Sequence, residues 1–345
     1  MKASTAATRP FLLFCFVVLL LHPLHVSSFS FRSGAGPVRR SDKRDQPRLP
    51  VAMAKNPADK EKLQTPGTST TVLSKSSQRG IVWKVALGSL FSVSLAAKGG
   101  LLGSDYPDAT ILQDLKAALL CGVLGFLYVK LVSWLVSKEV LQPKVSRKII
   151  HIGSAPLFML FWPLFSQSGR FFAACIPLIT AVRLYLAATG ERNESEFANA
   201  ISRSGDVKEA LGGPFLYVVI LILSILLFWT DNCVGVVAMS TMAAGDGMAD
   251  IIGRQLGKNN KWFFAPDKSI AGSAAFLVSG TAVTIGILMW LSTAGCLTLP
   301  MPIPELATQV ALITSACALI ELLPIGDDNW TVPLSAALLS SIFLV

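Results

Sequence analysis

Beyond residue 80 the chain alternates between apolar runs and short polar stretches. Runs near 115–136, 149–166, 171–188, 213–230, 233–252, 271–292, 305–323 and 331–345 read as helices that cross a bilayer. The physical basis is length, since about 20 apolar residues in a helix match the thickness of the hydrocarbon core. A weaker run, 81–102, is broken by Lys84, Lys98 and paired glycines, and either spans or lies at the surface. The last run is short for a span, and either crosses or dips in against its neighbours. The expected fold is all-α, a polytopic membrane helical bundle of about seven to eight spans.

Alternating the sides of the membrane sorts the polar stretches. The connections near 137–148, 189–212, 253–270 and 324–330 emerge on one face, and the other face receives only SQSGR, TDN and AGCLTLPMPIP. The first face carries Lys138, Lys144, Arg147, Lys148, Arg192, Arg203, Lys208, Arg254, Lys258, Lys261 and Lys268, whereas the opposite linkers carry Arg170. Basic residues concentrate on the cytoplasm-like side of membrane proteins. All the polar motifs below therefore reach one aqueous face.

Composition agrees, with 52% hydrophobic and 15% charged residues in a chain of 345. The net charge of +9 changes the picture little, because it is local. Residues 1–80 hold 13 Lys/Arg against 4 Asp/Glu, and the remainder holds 17 of each sign. A nucleic-acid partner thus finds no support in the body of the protein. Six cysteines lie scattered, without a CxxC pair, which argues against a zinc site or a disulfide framework.

Residues 1–80 read as an address. Lys2 and Arg9 precede FLLFCFVVLLL (11–21) and the small residues of HVSSFSF, the pattern of a secretory signal peptide over 1–28. Residues 29–80 are basic and rich in Ser, Thr and Pro, with no aromatic between Phe31 and Trp83, so they cannot build a core. The two parts together resemble the plastid presequence of algae with secondary plastids, and Phe29 directly after Val26-Ser27-Ser28 matches the aromatic such presequences favour. A plain secretory signal with a flexible stalk is the alternative. The working domain is 81–345.

Within it, GDGMADIIGRQLG (245–257) sets Asp246, Asp250 and Arg254 in an apolar run. An ionised group in hydrocarbon costs at least about 2.5 kcal/mol, so something must compensate. On a helix these residues, four apart, share one face. Two carboxylates near the end of a span suit Mg²⁺, a hard cation that takes oxygen ligands. The surrounding glycines permit close backbone approach. A structural Asp–Arg pair with small residues for helix packing is the competing explanation.

Other polar groups reach the same face. Lys258, Lys261, Lys268 and Ser269 precede a span whose N-terminus offers an anion site, although the spacing is not that of a Walker A loop. ISRSGDVKEALGGPFLY (201–217) supplies Arg203, Asp206, Lys208 and Glu209. ALIELLPIGDDNWTVPL puts Glu321 at the end of a span and Asp327, Asp328 and Asn329 in the turn that follows, candidates for a second metal contact. SRKIIHIG (146–153) places Arg147, Lys148 and His151 at the mouth of a span. Ordinary span flanks and polar turns would explain each of these singly. Together they supply carboxylates for a metal, cations for phosphates and an apolar bundle for a greasy substrate, a combination suited to phosphoryl transfer from a nucleotide to a lipid alcohol.

RKIIHI, RSGDVKEALGGPFLY, GDGMADIIGRQLG, KSIAGS and ELLP…DDNWTVPL, in that order, resemble the phytol kinase group of the polyprenol kinase family. Dolichol kinases and phosphatidate cytidylyltransferases are its more distant relatives. The match runs from about residue 115 to the C-terminus. The resemblance implies phosphate transfer from CTP, or another nucleoside triphosphate, to phytol in a plastid membrane, a salvage step toward tocopherol and phylloquinone. The motif loops would then face the stroma. The assigned roles are Asp246 and Asp250 as Mg²⁺ ligands, one of them receiving the hydroxyl proton. Arg254, Lys258, Lys268, Ser269, Arg203 and Lys208 are assigned to nucleotide phosphates. Asp327 and Asp328 are further metal candidates, and Arg147, Lys148, His151, Glu209, Glu321 and Asn329 complete the site list. Farnesol or geranylgeraniol kinase, phosphatidate cytidylyltransferase and membrane transporter remain the alternatives. The HGG…DR..D signature of the second is absent, and no paired broken helices mark the third.

Overall fold

The computed structural model describes residues 75–99, 101, 107–188, 211–324 and 327–345. The signal peptide, most of the presequence-like segment, and Arg203, Asp206, Lys208 and Glu209 lie outside them. The described residues form helices: α1 (Lys75–Lys98), α2 (Asp108–Ser137), α3 (Pro143–Leu160), α4 (Arg170–Ala188), α5 (Gly213–Leu227), α6 (Val234–Ser240), α7 (Gly247–Leu256), α8 (Ile270–Thr293), α9 (Ile303–Ile320) and α10 (Asp328–Phe343). A π-helical turn, Thr241–Asp246, joins α6 to α7 without a break. Between residues 257 and 269 the chain makes a short hairpin with a bridge between Lys261 and Ser269.

The apolar runs fall on these helices, but α2 starts at Asp108 rather than near 115, and α3 spans Pro143–Leu160 rather than 149–166. Four of them, α2, α4, α8 and α9, are long and apolar enough to cross a membrane. Helix α3 carries Lys144, Arg147 and Lys148 in its first turns, and α5 and α10 have 15 and 16 residues. α9 ends at Ile320, leaving Glu321 as its C-cap residue, inside the end of the apolar run. The first described helix, α1, starts at Lys75.

The core is filled by large side chains removed from contact with the surroundings, among them Trp162, Phe172, Phe228, Trp229, Phe276 and Met239. Small residues bring the backbones together where side chains would hold them apart. At the α7–α8 crossing, a Cβ on Gly272 would lie 3.4 Å from Gly253 Cα and 3.0 Å from the Ala249 carbonyl. At Gly247 a Cβ would collide with Ile152 of α3. The glycines of GDGMADIIGRQLG are therefore crossing points, which tie α7 to α8 on one side and to α3 on the other.

The two ends of the bundle hold different chemistry. At one end, Asp114 of α2, 0% exposed, accepts from the Ser166 N–H at 2.6 Å and the Ser166 hydroxyl at 2.7 Å. Arg170 binds both carboxylate oxygens of Asp231 at 2.9 and 2.7 Å. These contacts join the short linkers and are fully matched pairs. Asp246, Asp250, Lys148, Lys268, Glu321 and Asp328 gather at the other end.

Candidate functional site

Two helices set up the first half of the site. The π turn and α7 carry Asp246 and Asp250 on one face, as the spacing of four predicts, and Arg254 one turn on pairs with Asp250 at 2.8 Å. Facing them, α3 brings Lys148 Nζ to 3.0 Å from Asp246 Oδ2 and 3.9 Å from Asp250 Oδ2. One turn along α3, His151 Nε2 lies 3.3 Å from Asp246 Oδ2 and 3.2 Å from the Met242 carbonyl. The charges in this apolar run are compensated across the helix interface, by α3, as well as within their own helix.

The second half comes from the hairpin and from residues 53 and 60 positions beyond Lys268. Lys268, at the end of the hairpin, donates to Glu321 at 2.7 Å and to Asp328 at 2.8 Å. Asp246, Glu321 and Asp328 each place a carboxylate oxygen within 4.8 Å of the other two. Burial raises the Glu321 carboxyl to about 7 even though Lys268 lowers it, and the same opposition leaves Asp328 above the ordinary aspartate value. Burial works against the Lys268 ammonium, but the two carboxylates outweigh it and hold that pKa above normal. Carboxylates that remain reluctant to ionise beside a lysine have capacity for further positive charge. Three hard oxygen donors converging from three elements fit Mg²⁺ by donor chemistry.

The remaining sequence-derived candidates divide. Asp327 is turned to its own helix: Oδ1 accepts from the Asn329 N–H at 2.9 Å and from Asn329 Nδ2 at 2.6 Å, an N-cap of α10. Ser269 likewise caps α8 by accepting from the Gly272 N–H at 3.0 Å. Asn329 also abuts Gly213, where α5 enters, because a Cβ there would stand 2.9 Å from Nδ2. Lys258 and Arg254 are exposed, and Arg147 is half-buried, next to Lys148 in sequence. Lys261 donates to the Asp267 carbonyl at 3.3 Å.

Tyr217 escaped the sequence reading. Its hydroxyl donates to the His151 carbonyl at 2.9 Å, lies 2.9 Å from the Ser154 hydroxyl and accepts from the Ala155 N–H at 3.2 Å. Its ring stands 4.4 Å from the His151 ring. The signal was a tyrosine one turn inside an apolar helix, where a hydroxyl demands a partner.

Comparison with known proteins adds the family. The chain is 40% identical over 227 residues to "Probable phytol kinase 1, chloroplastic" of Glycine max, covering 64% of this chain and 74% of that one. It is 35% identical over 254 residues to "Phytol kinase 1, chloroplastic" of Arabidopsis thaliana, 72% of this chain and 82% of that one. It is 33% identical over 279 residues to "Probable phytol kinase, chloroplastic" of Triticum aestivum, 79% and 91%. No family model matches the chain. No solved structure matches it either. With carboxylates and lysines gathered at one end of an apolar bundle, and relatives this similar over most of their length, the chain belongs to the phytol kinase family, phosphotransferases that act on an alcohol.

Proposed function

We propose that this protein phosphorylates phytol at the expense of CTP, within a plastid membrane that it crosses seven to eight times, with its site at the stromal end. The observation that carries this reading is the meeting of Asp246, Glu321 and Asp328 with Lys148 and Lys268, where several apolar helices end together. A prenyl chain fits between such helices, and its hydroxyl would rest at their polar ends. The chloroplast relatives and the presequence-like N-terminus support the location.

In this reading Asp246, Glu321 and Asp328 would hold Mg²⁺, which would supply positive charge against the nucleotide phosphates. Lys148 keeps Asp246 ionised and in place from the α3 side. Lys268 orients Glu321 and Asp328 and presents positive charge toward the phosphates. Arg254 and Lys258, both exposed, meet the outer phosphates, and Arg203 and Lys208 are assigned the same task. The phytol oxygen forms a bond to the γ-phosphorus as the bond to the β-phosphate oxygen breaks, and CDP leaves. The hydroxyl proton passes to Asp250 Oδ2, on the same face as Asp246. Positioning and electrostatics carry a reaction of this kind, because the protein has little covalent chemistry to perform.

The test uses the full chain in liposomes with Mg²⁺ and γ-labelled CTP, offered phytol, geranylgeraniol, farnesol and phosphatidate in parallel. Label is expected in phytyl phosphate and more weakly in the shorter alcohols. Accumulation of CDP-diacylglycerol, with no labelled alcohol, would overturn the proposal. Replacing CTP by other labelled triphosphates then ranks the donors.

A further inference from the structure

The hairpin that delivers Lys268 to the site has an outer edge with no part in it. Trp262, Phe263 and Phe264 stand in sequence at its tip, and Phe263 is 93% exposed. Phe264 packs its ring against both neighbours, with centroids 5.5 Å from Trp262 and 5.0 Å from Phe263. At the feet of the hairpin Leu256 and Ile270 are exposed as well, so the apolar edge runs from the end of α7 to the start of α8. Lys258 and Lys261 are exposed beside it.

This edge is built rigidly. The Ile270 N–H donates to the Asn260 carbonyl at 2.8 Å, the Trp262 N–H to the Lys268 carbonyl at 3.3 Å, and the Lys268 N–H to the Ala265 carbonyl at 2.9 Å. The Trp262 indole N–H donates to the Ser273 hydroxyl at 3.0 Å, which fastens the tip to the first turn of α8. With its backbone tied at both strands, the hairpin holds Phe263 outward. A strip of this kind is unfavourable in water. Helix α8 is a candidate membrane span that starts at Ile270, so the hairpin stands at the level where hydrocarbon gives way to headgroups. Aromatic rings flanked by lysines are the composition favoured at that level, the rings buried shallowly and the ammonium groups among lipid phosphates.

We infer that the 257–269 hairpin is a membrane-interface anchor, seating Phe263 and Phe264 at the headgroup–acyl boundary while Lys261 binds anionic lipid headgroups. The occupant of the apolar edge is the bilayer itself. Because Lys268 lies on the same hairpin and binds Glu321 and Asp328, the anchor also fixes the depth of the carboxylate cluster relative to the lipid surface.

The experiment uses the full chain with Cys15→Ser, Cys296→Ser and Phe263→Cys, spin-labelled at position 263; Cys121, Cys175, Cys233 and Cys317 are buried and shielded from the label. It is reconstituted in vesicles of phosphatidylcholine with phosphatidylglycerol. Collision of the label with oxygen, which concentrates in lipid, is compared with collision with a water-soluble nickel chelate. Oxygen is expected to dominate several-fold, and removal of phosphatidylglycerol to narrow that ratio. A label as accessible to nickel as one free in water overturns the anchor. So does a label shielded from both reagents, which would place the edge against a second copy or another protein. The readout is position and is independent of the reaction catalysed, so it stands or falls apart from the kinase proposal.

Discussion

Glu321→Gln separates a catalytic carboxylate cluster from a structural one. Glu321 is 6% exposed, accepts from Lys268 at 2.7 Å and points an oxygen toward Asp246 and Asp328. Glutamine keeps the shape and an acceptor oxygen for Lys268 but removes the charge. A unit pair at 2.7 Å gains roughly 6 kcal/mol before desolvation at an effective dielectric constant of about 20. Most of that is returned on neutralisation, because Glu321 no longer has to ionise in a buried place, and Lys268 retains Asp328 at 2.8 Å. The net folding cost should be that of weakening one charged hydrogen bond, about 1.5–3 kcal/mol. The catalytic cost should be larger, because one of the three proposed Mg²⁺ ligands loses its charge, and that charge also steadies Lys268. Removing a single preorganised electrostatic contact costs about 10²–10³ in kcat. The assay measures kcat for phytyl phosphate formation in vesicles, the Mg²⁺ concentration for half-maximal rate, and thermal unfolding. The expected result is a fall of about two to three orders of magnitude in kcat with a raised Mg²⁺ requirement. The comparison is Asp231→Asn, which weakens the Arg170 pair at the opposite end and should leave kcat within about twofold, as expected of an exposed ion pair. If Glu321→Gln behaves like Asp231→Asn, with unchanged Mg²⁺ dependence, the cluster is only structural and the reasoning fails.

Three further outcomes follow from the same geometry. Chelation of divalent cations should abolish turnover, and Mg²⁺ should restore it; activity unaffected by an excess of chelator would sink the metal assignment. Gly247→Ala should separate α3 from α7 by colliding with Ile152, destabilising the fold by about 1–3 kcal/mol and lowering turnover as Lys148 moves from Asp246. Gly286→Ala, with nothing within 4 Å of its Cβ, should be neutral or slightly stabilising by the same unfolding assay.

What the sequence made legible was whatever depends on spacing along one helix. The apolar runs placed the helices, the four-residue step put Asp246, Asp250 and Arg254 on one face, and alternation of sides predicted that the motifs share an end. The gathering of Lys148, Asp246, Lys268, Glu321 and Asp328 at one end agrees with that sorting. What stayed hidden is partnership across helices. Nothing local marks Lys148 rather than Arg147 as the residue that reaches Asp246, since that depends on the rotation of α3 against α7. Glu321 ranked as a minor candidate because its neighbours in sequence are apolar, whereas its neighbours in space are Lys268, Asp328 and Asp246. Asp327 and Asp328 looked equivalent, but the start of α10 spends the first on capping and leaves the second facing Lys268. Tyr217 was invisible for the same reason, its three partners all lying on α3.

The π turn at Thr241–Asp246 gives the site a phase as well as a place. An α-helix rotates by about 100° per residue, and a π turn absorbs an extra residue without breaking the rod. Whatever lies upstream, in α6, is therefore angularly offset from α7 by that one inserted position. Ala243 and Ala244 look like featureless filler, 0% and 1% exposed. Yet losing either would let the turn relax toward regular helix and swing Asp246, Asp250 and Arg254 around the axis relative to α6, like a key cut correctly but turned in its barrel. Length, in this stretch, is a chemical property: the count of residues between Val234 and Asp246 selects which side chains look at Lys148, independently of what those residues are.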